Sequence, residues 1–151
     1  MGHVHQDARV NAPIEHVFEL ACNVDRHAEW DPYMDVRNYS GPVDRVGTTF
    51  DSTMHLAGQT FESKGTVVEA EPLRLIRIRG IADNGGTSDW LYRFERSGEG
   101  TVCSVDIDYE MPGVVAAVID RLVFHRALER AARHMSENFA ALAEEKVPQT
   151  V

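Results

Sequence analysis

Apolar and polar residues alternate strictly from Thr101 to Met111. Cys103, Val105, Ile107, Tyr109 and Met111 share one phase, and Ser104, Asp106, Asp108 and Glu110 share the other. Period two describes a half-buried β-strand, because successive side chains point to opposite faces. Pro112-Gly113 breaks the strand, and the spacing then changes to threes and fours. Phe124, Leu128, Ala131, Met135, Phe139 and Leu142 form one apolar stripe of a helix running to about Glu145. Glu129, Arg130, Arg133 and Glu137 take the other side, with Glu129 and Arg133 spaced for an i,i+4 ion pair. This helix is far longer than the average of about 11 residues. Its stripe has to be buried against a sheet.

Upstream, Val4 to Val10 reads weakly as a strand. Asn11 can cap a helix that carries Pro13 in its first turn and the stripe Ile14, Val17, Phe18 and Ala21. A second short helix covers Val24 to Trp30, and Pro32 ends it by forcing Asp31 out of helical geometry. From Met34 the pattern becomes strand-like. Thr48 to Leu56 puts Phe50, Met54 and Leu56 on one face; Thr60 to Ala70 puts Phe61, Ser63, Gly65 and Val67 on one face. Gly65 inside a strand predicts a bend or bulge. Leu73 to Ile81 sets Ile76 and Ile78 against Arg77 and Arg79, which either point to solvent or, if the phase slips by one residue, turn inward as anion clamps. Thr87 to Arg96 sets Trp90, Tyr92 and Phe94 against Leu91, Arg93 and Glu95. Gly-rich turns at Ala57-Gly58-Gln59, Asp83 to Gly86 and Ser97 to Gly100 join consecutive strands into an antiparallel meander. Strands in one block with helices outside it define an α+β fold.

The chain has 151 residues, 43% hydrophobic and 26% charged, which fits one domain over 1–151 with a frayed tail from about residue 146. A net charge of -9 argues against nucleic acid, whose phosphates need clustered Lys and Arg. No apolar run reaches the ~20 residues of a membrane span. The start of the chain does not read as a signal peptide. Two cysteines, Cys22 and Cys103, lack metal-ligand spacing and read as reduced and buried, consistent with the cytoplasm. No phosphate loop, metal motif or nucleophile elbow is present, so neither a metal nor a cofactor is expected.

The chemistry that remains is aromatic. Trp90, Tyr92 and Tyr109 face inward, and Trp and Tyr each join an apolar ring to a polar atom. Phe50, Met54, Phe61, Ile78 and Met111 share that side of the sheet, while Phe124 and Leu128 face it from the helix. Trp30, before the Asp31-Pro32 break, belongs either to the core or to the rim of an entrance. His125 lies next to the helix stripe and is either a cavity residue or a surface residue with its own partner. These twelve side chains, His125 included, are the candidate ligand contacts, and Tyr92, Tyr109 and His125 are candidate catalytic groups.

The element order, with Asn11-Ala12-Pro13-Ile14-Glu15-His16-Val17-Phe18, Trp30-Asp31-Pro32, Gly65 to Pro72 and the long final helix, resembles the START-like superfamily. Within it the chain looks like the polyketide cyclase/dehydrase and lipid-transport group. That resemblance implies a helix-grip fold: a curved antiparallel sheet of about seven strands around a long C-terminal helix, with two short helices after the first strand and a deep hydrophobic cavity between. It implies a small hydrophobic guest of lipid, isoprenoid or polyketide type. It also admits a cyclase/dehydrase acting on a poly-β-keto chain, or a protein-interaction module. The oligomeric state is expected to be a monomer or homodimer.

Overall fold

The alternating segments become seven strands, and the computed structural model describes residues 2–113 and 121–145. Two expectations, the helix start across 114–120 and the frayed tail across 146–151, lie outside the described residues. Strand β1 is Gly2–Val10, followed by helix α1 (Ile14–Cys22), a single 3-10 turn (Val24–Arg26) and helix α2 (His27–Trp30). Then come β2 (Met34–Arg37), β3 (Thr49–Leu56), β4 (Gln59–Glu71), β5 (Leu75–Ala82), β6 (Thr87–Ser97), β7 (Gly100–Glu110) and helix α3 (Arg121–Glu144).

All strands lie in one antiparallel sheet of order β1-β7-β6-β5-β4-β3-β2. β2 to β7 are therefore a meander, and β1 closes the far side by pairing with β7. Because β1 and β2 are opposite edges, α1 and α2 carry the chain from one edge to the other. Helix α3 packs on β1, β3, α1 and α2. Its buried residues include Phe124, Leu128, Ala131, Met135 and Phe139, which face in-pointing Val4, Val67, Ile76, Trp90 and Ile107. This is the helix-grip arrangement of an α+β chain.

Several local readings need correction. β1 begins at Gly2, two residues before the expected start. Asn11 does not cap α1: Pro13, at φ -63°, occupies the cap position, and the Asn11 N–H donates to Glu144 Oε2 at 3.0 Å. Asn23 caps the next turn, its side chain accepting from the Asp25 N–H. The bulge lies between Val67 and Glu69, not at Gly65. Leu91 keeps the outward phase yet is 5% exposed, because it is flanked in register by Arg77 and Asp106. Arg77 and Arg79 do point outward, where Arg77 pairs with Glu69 (3.1 Å) and Asp89 (2.7 Å), and Arg79 with Asp89 (3.4 Å).

Candidate ligand cavity

The sheet and α3 do not meet flush: a cavity of about 190 Å³ lies between them. Its origin is visible in the in-facing residues of β3 to β6. One row across the sheet reads Phe50, Gly65, Gly80, Ser88, and the next reads Ser52, Ser63, Ala82. Four strands thus present hydrogen, hydroxymethyl or methyl side chains where larger groups would reach the helix. Volume absent from both rows cannot be recovered by a helix that is rigid on this scale. Gly65 also admits a close approach, since the Phe50 ring occupies the space a Cβ would need.

Aromatic rings line the remaining walls. Phe61 and Tyr109 both meet Phe124 edge-on, at ring separations of 5.5 and 5.2 Å. Trp90 stacks beside Tyr92 at 6.4 Å, and Trp30 meets Phe139 edge-on at 5.3 Å. Trp30, Phe50, Met54, Phe61, Ile78, Trp90, Tyr92, Tyr109, Met111, Phe124 and Leu128 all border the cavity. Trp30 is a core residue, 6% exposed, and so is not a rim group. Exposed Asn84, Thr87 and Glu110 also border the cavity, so the end by the β5–β6 turn reaches solvent.

His125 does not border the cavity. Its Nδ1 hydrogen-bonds Tyr109 Oη at 2.8 Å, and its Nε2 stands 3.3 Å from Glu129 Oε1. Its surface-or-partnered alternative is therefore the one realised, because Tyr109 stands between it and the hollow. Glu129, expected to pair with Arg133, faces His125 instead.

A polar cluster that the sequence reading did not assemble occupies the α2 end. His27 borders the cavity, and its Nε2 is 2.9 Å from Asp31 Oδ2. Asp31 is 1% exposed, and its other oxygen accepts the Tyr33 N–H at 3.0 Å. Burial, followed by the field of this carboxylate, pushes the Tyr92 hydroxyl far above the ordinary phenol value. The same two causes push Tyr39 up to about 12. Both phenols therefore stay protonated and able to donate. Trp30 Nε1 is buried with no hydrogen-bond partner among the described residues, in a ring that forms part of the cavity wall. Ser52 and Ser63 satisfy each other across the strands at 2.7 Å. The i,i+4 spacing of His27 and Asp31 was a usable signal for this cluster. Tyr39, lying in a connection without periodicity, offered none.

Cys103 borders the cavity, and both cysteines are half-buried, not fully buried as expected; the burial they have still pushes both thiols up to about 12. Among the described residues there is no group of His, Cys, Asp and Glu able to hold a metal ion, and no helix long and apolar enough to cross a membrane.

The family model described as polyketide cyclase / dehydrase and lipid transport matches residues 1–144. The chain belongs to that family. No curated protein matches it in sequence. Among solved structures, protein CV1439 from Chromobacterium violaceum is 18% identical, with a TM-score of 0.74 over 97% of this chain and 100% of that one. The Zhui aromatase/cyclase from Streptomyces sp. R1128 is 20% identical, with a TM-score of 0.73 over 98% of this chain and 96% of that one. Ara h 8.0201 is 10% identical, with a TM-score of 0.70 over 96% and 99%. At these identities the structures share the fold with this family member, and the chemistry has to be argued from its own residues.

Proposed function

We propose that this family member binds a small, largely apolar molecule between the sheet and α3. One observation carries the reading: a hollow of about 190 Å³ bordered mostly by aromatic and aliphatic side chains, with hydroxyl and other polar groups interspersed. An empty apolar cavity forfeits dispersion contacts on its lining, and a guest that fills it restores them. Removing the guest's apolar surface from water supplies affinity, and Tyr92, Tyr109 and the unpaired Trp30 N–H orient it. Under this reading the protein acts in the cytoplasm as a single-domain monomer or homodimer, with no cofactor. Native mass spectrometry of the purified protein, followed by solvent extraction, tests it directly. Trp90→Ala is expected to weaken the recovered guest by ~1–3 kcal/mol. A variant that folds and binds that guest as well as wild type overturns this placement of the site.

A second reading, a cyclase/dehydrase acting on a poly-β-keto intermediate, draws on the α2 end. An imidazole held by a buried carboxylate is the arrangement of an oriented general base, and the protonated Tyr92 and Tyr39 hydroxyls can polarise a carbonyl. The aromatase/cyclase of like fold makes this chemistry a fair comparison. An unchanged product distribution, after incubation with a reactive poly-β-keto substrate, sinks this reading and leaves binding intact.

A further inference from the structure

We propose that Tyr109, His125 and Glu129 form a proton-exchange site in the cavity wall, fitted to a small planar guest with an ionisable hydroxyl, a phenol or an enol. The inference rests on the binding reading above. Tyr109 borders the cavity; His125 does not, and reaches it through the 2.8 Å bond from Nδ1 to Tyr109 Oη. On the far side of the imidazole, Glu129 stands 3.3 Å from Nε2 and is 56% exposed, while the His125 side chain is 31% exposed. The three groups therefore run from the lined interior to solvent through one hydrogen bond, Tyr109 to His125, and one charge contact, His125 to Glu129.

The direction of the bonds follows from the partners. With the imidazole neutral, the carboxylate beside Nε2 selects the tautomer that carries hydrogen there. Nδ1 then holds a lone pair, and the hydrogen of Tyr109 Oη is spent on it. The half-buried phenol oxygen is left with acceptor capacity alone, and the group that complements such an acceptor from the cavity is a hydroxyl donor. Burial and the Glu129 charge disfavour a free Tyr109 phenolate, so the proton has to pass Tyr109 in concert and not rest on it.

The step balances. The guest O–H bond breaks and its electron pair stays on the guest oxygen. Its proton joins Tyr109 Oη as the Tyr109 proton joins His125 Nδ1, and the Nε2 proton leaves to Glu129 or to water. No oxidant, reductant or co-reactant is needed.

The test uses 2-naphthol, whose excited state releases its proton within nanoseconds if an acceptor is in reach and whose neutral and ionised forms emit at different wavelengths. Wild-type protein is expected to give bound 2-naphthol a clear ionised emission. In Tyr109→Phe and His125→Phe the ionised fraction of bound guest should fall by about tenfold or more. That fraction is a ratio, so it does not depend on how much guest each variant holds. Tyr109→Phe keeps the ring and serves if the other variant does not fold. Neutral emission from wild type, or an ionised fraction unchanged in Tyr109→Phe, overturns the proton path while leaving the cavity in use. Failure of both naphthalene and 2-naphthol to bind wild type overturns the binding reading, and this inference with it.

Discussion

The ring of Phe50 lies on the backbone of Gly65, so near that a Cβ built there would sit 2.4 Å from Phe50 Cζ. Tyr39 stacks parallel to that ring at 4.8 Å, so Phe50 cannot simply swing aside. Gly65→Val should therefore cost about 1–3 kcal/mol of stability through overpacking, and should push Phe50 toward the hollow. Thermal unfolding reads the first effect, and loss of binding of a naphthalene probe reads the second. A variant as stable as wild type would mean that the contact is loose.

Asp31 holds His27 and the Tyr33 N–H from a position closed to water. Asp31→Ala leaves both donors without their acceptor, at a cost of roughly 3 kcal/mol. Asp31→Asn keeps the size and one acceptor oxygen, and should lie between wild type and alanine. Chemical denaturation of the three proteins checks the order; an alanine variant that unfolds with wild type removes Asp31 from the framework of the site.

His5 lies on the outer face of β1, 2.7 Å from Asp106 and 2.8 Å from Asp7. The Asp106 hydrogen bond is the largest of the effects that raise its pKa above 6.5. Folding thus favours the protonated imidazole. The resulting stabilisation is fully present below 6.5 and is lost as pH rises through the higher folded value. The group is well exposed, so the resonance of His5 is the sensitive observable, not the unfolding curve. Its NMR titration midpoint should lie above 6.5 in wild type and fall back toward it in Asp106→Asn.

Burial pushes both thiols up to about 12, so neither Cys22 nor Cys103 supplies much thiolate near neutrality. Alkylation at pH 8 should be slow in the native protein and fast once it is unfolded. Cys103 borders the cavity, so a bound guest should slow its labelling further, while Cys22 serves as the internal comparison. Rapid native labelling of Cys103 would mean that the interior opens freely.

The sheet was legible in the sequence because its phases are nearly unbroken: a run such as Trp90, Tyr92, Phe94 can point inward in one register alone. The aromatic lining followed from the same periodicity. Ser52 and Ser63 also sit on the apolar phase, and this run of small side chains is the clearest written trace of the hollow. The bulge was misplaced because a glycine in a strand has two meanings, a bent backbone or a ring lying close, and Gly65 carries the second. His125 was ambiguous because its place depends on the direction of Tyr109, a contact between residues 16 apart on different elements. Asp31 was read as the residue before a proline, and nothing local announces that a carboxylate is the buried centre of a cluster.

The pairing of Gly2 with Tyr109 and Val10 with Thr101 has a consequence for the order of assembly. A chain emerging from the ribosome holds its first strand without a neighbour until β7 has been made, because β2, at the opposite border, is no substitute. Such distant pairing carries a loop-closure entropy that hairpins avoid, so β1 should dock late and slowly. Until it docks, the edge of β7 stands bare, and that interval is when this chain is most open to joining another copy of itself.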